Sequence, residues 1–293
     1  MSERGTKHVR GQQRRRIFVA ALTLAVCGGL FVGQTLAEPA KTTAPKCERG
    51  AFRLILDVGH TKESQGAISA RGVPEYEFNL DLAKEIEAQL MSAGFVKTTL
   101  LITTGPGRES LVRRVQSANA MSADLLLSIH HDSVPDSFKE SWELDDQKNW
   151  YSDRFRGHSI FVSYDNGDRN RSLGFARLLG KQLKARGLQY TPHYTKSFMG
   201  RWRRELVDAE TGVYRYDQLI VLRATRMPAV LLEGGSIVNR EEELVMGSPE
   251  RRAQIAGAVV DAADGFCGAH HRLREVRTRQ PAGGQAASAA SAR

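Results

Sequence analysis

The chain has 293 residues, with 42 Lys and Arg against 33 Asp and Glu, for a formal net charge of +9. The excess lies at the ends: residues 1–37 carry +5 and residues 268–293 carry +4, so 38–267 sum to zero. A neutral body lacks the electrostatic footprint of a nucleic-acid binder, and no nucleic-acid partner is expected.

Residues 1–37 have a basic start, an apolar centre and the small-residue exit Thr35-Leu36-Ala37. They read as a secretory signal peptide cut after Ala37, which implies a periplasmic protein. Arg14-Arg15 ahead of Arg16-Ile17-Phe18 also fits a twin-arginine export signal. The alternative is a single membrane anchor, because the apolar stretch Ile17 to Leu36 is nearly long enough to span. Gly28, Gly29, Gly33 and Gln34 weaken that alternative. Residues 38–49 form a polar linker.

"FRLILDV" (52–58) is expected to be a buried strand. In the helix that follows, Phe78, Leu82, Ile86 and Leu90 recur every four residues and Gly94 supplies the stop. A strand over 96–104, a turn at "TGPG" and a helix over 108–122 lead to "LLLSIHHDS" (125–133), a leucine strand ending in two histidines and an aspartate. Residues 134–156 read as an irregular polar stretch, 157–163 as a strand and 171–187 as a helix. A second irregular stretch, 188–217, precedes two expected strands, 218–223 and 228–233, and a helix over about 249–266. The tail, 268–293, is poor in apolar residues and expected to be disordered. This alternation predicts one α/β domain over 50–267, with a mostly parallel, mixed and twisted sheet of about six strands and helices on both faces. Cys47 and Cys267 flank that domain, and an even pair in an exported protein suggests a disulfide; two free thiols are the alternative.

In an open parallel sheet, sites form along the carboxyl ends of the strands. His60 lies two residues past the first strand, His130 ends the third, Glu233 ends "PAVLLE", and Glu75 opens the first helix. Two imidazoles and a carboxylate suit zinc, leaving a fourth position for water, whose pKa falls to about 7 on the metal. A remaining carboxylate can then move protons. His131, one residue along an extended chain from His130, points to the other face and suits an orienting role. Asp57 and Asp132 are candidates to orient ligands, with turn formation the commoner use of Asp. Arg223, at the end of its expected strand, is a candidate to meet a substrate carboxylate or to form a structural ion pair.

"LILDVGH", the run Glu75-Tyr76-Glu77-Phe78-Asn79-Leu80, "SANAMSADLLLSIHHDS" and "LRATRMPAVLLEGGSIVN" together resemble the ordered motifs of the zinc-dependent N-acetylmuramoyl-L-alanine amidases of the amidase-3 type. The resemblance covers about 50–266. It implies one Zn2+ per chain held by His60, Glu75 and His130, with Glu233 as the catalytic carboxylate. It also implies peptidoglycan or muropeptides as substrate, a monomer, and an envelope protein as regulator. The chain departs from the family in "TKESQG" after His60 and in "EGGS", where Ser236 replaces an aromatic wall. Residues 134–156, rich in aromatics and acids, are expected to form a movable cover over the site. Two other readings are a zinc hydrolase of the same fold acting on another acylated peptide, and a silent wall-binding protein.

Overall fold

The computed structural model describes residues 47–279, with side chains to 269; the leader lies outside the described residues. Seven strands form the main sheet: β1 (Arg53–Val58), β2 (Lys97–Leu101), β3 (Leu125–Asp132), β6 (Ser159–Val162), β7 (Glu205–Asp208), β8 (Val213–Arg215) and β9 (Ala229–Ser236). A hairpin, β4 (Glu140–Leu144) and β5 (Gln147–Tyr151), stands apart from it. The order is β2-β1-β3-β9-β6-β8-β7. The β2-β1-β3-β9 half is parallel, β6 runs antiparallel to β9, and β7 antiparallel to β8. Leucine-rich β1, β3 and β9 are buried almost throughout, as central parallel strands covered on both faces must be.

Alternate residues of these strands feed two cores. Leu54, Leu56, Leu127, Ile129 and Leu232 face α1 (Glu75–Ser92), α3 (Arg169–Ala185) and α6 (Pro249–Arg279). Ile55, Leu126, Phe161 and Leu231 face α2 (Gly107–Met121) and the short α4 (Ile220–Ala224). In α1 the buried stripe is Tyr76, Asn79, Leu82, Ala83, Ile86 and Leu90, and Gly94, at φ +95°, ends the helix through a bond to the Met91 carbonyl. Cys47 and Cys267 are bonded across 220 residues, joining the start of the domain to α6. Among the described residues no helix is long and apolar enough to cross a membrane.

Four expectations are corrected. Residues 218–223 do not form a strand: Ile220–Ala224 is helical. Only Val221 and Leu222 of that segment are buried on the turn, and Thr225 closes it by donating its hydroxyl to the Val221 carbonyl. Two strands come instead from 188–217, where β7 and β8 pair at the sheet's edge and bring the sheet to seven. The last helix continues to Arg279, so the first part of the segment expected to be disordered is helical; the remainder lies outside the described residues.

Residues 134–156 are not irregular. A 3-10 turn (Asp136–Phe138) leads into the hairpin, whose tip places Asp145 and Asp146 both at positive φ, 51° and 60°. That pair is the signature of a two-residue mirror-image turn, the kind that matches strand twist. A fifth helix, α5 (Arg240–Met246), is capped by the Asn239 side chain, which accepts from the Glu241 and Glu242 amides.

Candidate active site

The tips of β1 and β3 and the start of α1 bring three side chains together. His60 Nε2 lies 3.0 Å from Glu75 Oε2, and His130 Nδ1 lies 3.0 Å from Glu75 Oε1. One donor atom from each residue falls within 4.8 Å of the other two, which makes the group able to hold a metal ion. Backbone bareness leaves the space. A Cβ on Gly59 would sit 2.5 Å from the His130 ring, and one on Gly66 (φ +80°) 2.5 Å from Glu75 Oε2.

Hydrogen bonds fix the carboxylate. Glu75 accepts from the Ala67 amide (3.1 Å), from Asn79 Nδ2 (3.2 Å) and from the His131 amide (3.4 Å). Burial pulls its carboxyl upward, but hydrogen bonding to His130 and His60 and their charge outweigh it and hold the carboxyl well below the ordinary range. Burial lowers the pKa of His130, which favours the neutral imidazole a metal requires.

His131 points to the α1 face, as the strand geometry predicts. Its Nδ1 lies 2.9 Å from Asn79 Oδ1, its ring packs on Phe78, and burial lowers its pKa to about 4. Asn79 therefore bridges Glu75 and His131. It was visible in the sequence as the residue one helical turn after Glu75, but nothing there marked it as more than core.

The first histidine is held by a residue the sequence reading missed. Arg114, on α2, is 1% exposed. It donates to Asp57 Oδ1 (2.7 Å), Thr103 Oγ1 (2.8 Å), the His60 carbonyl (2.8 Å) and the Val58 carbonyl. His60 has φ +66°, a left-handed conformation that costs a side-chain-bearing residue on the order of 1 kcal/mol. Arg114 secures that turn by its carbonyl. Asp57 thus orients Arg114 rather than a candidate ligand, with Ser128 Oγ donating to its other oxygen at 2.6 Å. The signal was the α2 stripe Ser110, Arg114, Ala118, four residues apart and all buried.

Glu233 sits directly across from His130 in the β3–β9 register, so the two side chains share a sheet face. Its Oε2 is buried without a hydrogen-bond partner. Burial, then the neighbouring carboxylates of Asp132 and Glu75, push its pKa well above the ordinary value. Asp132 accepts from the Tyr194 hydroxyl (2.7 Å) and the Ser133 amide (2.8 Å), leaving Oδ2 buried and unpartnered. Burial raises its pKa to about 7. Asp132 therefore bonds Tyr194 and its own turn, not a histidine. Three carboxylates crowded at one strand edge, two lacking partners for an oxygen, make a place where a bound cation would relieve both repulsion and unmet bonding.

A cleft of about 180 Å³ opens beside His60 and His130, walled by Ser64, Ser110, Leu111 and Val221. Arg223 is not placed with the site: it lies exposed on α4. The expected cover is also corrected. Trp142 Nε1 donates to the Ala70 carbonyl (2.8 Å), and Tyr151 packs under the Arg240 guanidinium (3.8 Å), so the hairpin is docked on the β1–α1 loop and α5. Among the described residues, none of Glu140, Glu143, Asp145 and Asp146 pairs with the candidate ligands, and no residue of 134–156 lines the cleft.

A parallel α/β sheet presenting two histidines and a carboxylate at its carboxyl edge, with a further carboxylate in register beside them, defines a candidate metal-centred hydrolase. Residues 54–264 match the family model Amidase_3, N-acetylmuramoyl-L-alanine amidase. The chain belongs to that family and is an amide-cleaving enzyme. It is 25% identical over 265 residues to the N-acetylmuramoyl-L-alanine amidase AmiA of Salmonella typhimurium, covering 85% of this chain and 89% of the relative. With the N-acetylmuramoyl-L-alanine amidase Rv3717 of Mycobacterium tuberculosis the identity is 25%, over 74% of this chain and 79% of the relative. The crystal structure of the amidase Ami1 from Mycobacterium smegmatis shares the fold, with a TM-score of 0.56 at 21% identity, over 75% of this chain and 98% of that one.

Proposed function

We propose that the enzyme hydrolyses the amide between the lactyl group of N-acetylmuramic acid and the L-alanine of the stem peptide, using one zinc ion held by His60, Glu75 and His130. The observation that carries this reading is the meeting of those three side chains within 4.8 Å, with Glu233 in register beside His130, in a chain of the amidase family. Two nitrogens and one oxygen are a donor set that zinc favours and that leaves a position open. When bound, zinc supplies a Lewis acid that polarises a carbonyl and acidifies water. Glu233 takes the proton of the attacking water and returns it to the departing alanine amine, whose C–N bond breaks as the new C–O bond forms. Glu233 is pushed toward its protonated form chiefly by burial and then by the Asp132 and Glu75 carboxylates, and a cation held by His60, Glu75 and His130 would favour its carboxylate form. His131, through Asn79, and Arg114, through the His60 carbonyl, hold the ligands in place. Residues 1–37 serve export to the periplasm, where the monomer meets peptidoglycan.

The test pairs two variants on purified peptidoglycan, with products identified by mass and metal measured by atomic emission. Glu233→Gln is expected to keep stoichiometric zinc and lose about 10²–10⁴ in rate. His130→Ala is expected to lose both metal and turnover. Full zinc occupancy in His130→Ala, or near-normal turnover in Glu233→Gln, overturns the assignment.

A further inference from the structure

About half of the arginines of this domain are committed to carboxylates. Arg49 pairs with Asp264, Arg71 with Glu243, Arg177 with Asp208, Arg186 with Asp261 and Arg240 with Asp153. Arg154, Arg201 and Arg203 are exposed and form no ion pair with a carboxylate among the described residues, as is also true of Arg108, Arg156, Arg169, Arg223 and Arg226; what sets the three apart is where they cluster. They gather around the 3-10 segment Ser197–Trp202 together with Phe198 and Trp202, large apolar side chains that are 46% and 40% exposed. Arg154 lies over the Phe138, Phe155 and Phe198 rings at 5.3–5.9 Å, and Arg201 over the Trp202 ring at 5.0 Å.

This strip is tied to the catalytic edge. The Arg204 amide donates to the Tyr194 carbonyl (2.8 Å), and the Tyr194 hydroxyl donates to Asp132, two residues beyond His130. Phe198 packs on Phe138, on the chain leaving β3, with ring centroids 5.6 Å apart. Exposed cations interleaved with exposed aromatic faces are complementary to a polymer that offers both carboxylates and sugar rings.

We propose that Arg154, Arg201, Trp202 and Arg203 form a second holding surface for the anionic glycopeptide of the wall, adjacent to the site where the amide is cut. The guanidinium groups take stem-peptide carboxylates and the indole takes a sugar face, so that a strand bound here raises the local concentration of cleavable amides at the metal-binding triad. The inference rests on the reading of the site as a peptidoglycan amidase.

Its test is co-sedimentation of the full chain with purified sacculi, in the Glu233→Gln background so that the polymer stays intact. The triple variant Arg154→Ser, Arg201→Ser, Arg203→Ser is compared with a control that removes equal charge from the exposed Lys84, Lys97 and Lys181. Three exposed charge contacts predict about a tenfold or greater loss of affinity in the first variant and less than about twofold in the control. Trp202→Ala is expected to weaken binding at all salt concentrations, whereas the arginine contribution fades as salt rises. Equal binding by the triple variant and the control overturns the proposal. So does a loss confined to phosphatidylglycerol vesicles, which would make the strip a membrane surface. Cleavage by the unsubstituted chain, read by mass in parallel, separates the two ideas. Absent cleavage with arginine-dependent sedimentation sinks the amidase assignment alone, and cleavage with unaltered sedimentation sinks the strip alone.

Discussion

Replacing Arg114 with methionine tests whether the site is held from beneath. Arg114 donates to Asp57, Thr103 and the carbonyls of Val58 and His60, and both Arg114 and Asp57 are essentially inaccessible to water. Methionine fills much of the volume and supplies none of these donors. Asp57 would then keep only the Ser128 hydroxyl at 2.6 Å, a buried carboxylate without its counter-charge. Breaking one side of such a pair costs about 3–5 kcal/mol. That magnitude dominates anything the lost packing adds, and chemical unfolding of the metal-free protein measures it directly.

The same change should also reach the metal. His60 is held in a left-handed turn whose carbonyl Arg114 grips, so the freed turn relaxes toward ordinary backbone and carries the imidazole with it. Loss of a group that orients a ligand commonly costs about 10–100-fold in metal affinity, which titration of zinc into the metal-free protein would read. The double variant Asp57→Asn, Arg114→Met separates the two effects. It removes the stranded charge and should recover a good part of the stability, while zinc affinity stays low because the His60 carbonyl is still untethered. A stability loss below about 1 kcal/mol in the single variant, with unchanged zinc affinity, would refute the reasoning.

Two further outcomes follow from burial and from chain connectivity. His131, His158 and His193 are held neutral by burial, each with its pKa near 4, against about 6.5 in an unfolded chain. Their contribution is fully present above about pH 6.5 and is lost as pH falls toward 4, on the order of 3 kcal/mol each. Asp132 and Glu233, whose carboxyls are raised, pull the other way in the same window, so the histidine effect is read as a difference. In urea unfolding of the metal-free protein, the stability lost by His158→Leu relative to the unsubstituted chain should become less unfavourable, or turn to a gain, as pH falls from 7 to 5. A pH-independent difference would contradict it. Replacing both Cys47 and Cys267 by serine frees a loop of 220 residues, a loss of about 5 kcal/mol in the chain-entropy account and a fall in Tm of about 10–20 °C. A fall of only a degree or two would mean that the unfolded chain gains little freedom from the cut.

What the sequence revealed and what it hid divide along physical lines. Central parallel strands announce themselves because burial on both faces demands unbroken apolar runs, and "LILDV", "LLLSI" and "AVLLE" all lie in the central sheet. Once those strands are parallel, His60, His130 and Glu233 must share an edge, so their convergence needed no coordinates. Edge elements carry no such signature. β7 is four residues long and half exposed, β8 is only three residues long, and the hairpin turn uses Asp145-Asp146 in place of the glycine that usually marks it. "QLIVLR" misled because five residues contain too few turns to distinguish a helix from a strand by period.

The supporting residues were hidden for a different reason. A ligand is conspicuous because an ionisable side chain at a strand tip has no cheaper explanation, whereas Asn79 and Arg114 sit inside helices whose stripes already explain a buried position. Their work appears only when the bonds are traced across elements, from α1 to His131 and from α2 to the His60 carbonyl. Each spends a buried polar or charged group on a histidine's backbone or ring rather than on packing, and in a dry interior that is tolerated only where every donor finds an acceptor. Arg114 nearly achieves this, with only its Nε left over. Asp132 and Glu233 do not, and the contrast locates the chemistry. The structural charges on the β1 side are neutralised by one another, while the carboxylates on the β9 side keep open oxygens facing the place where a cation and a substrate amide would come to satisfy them.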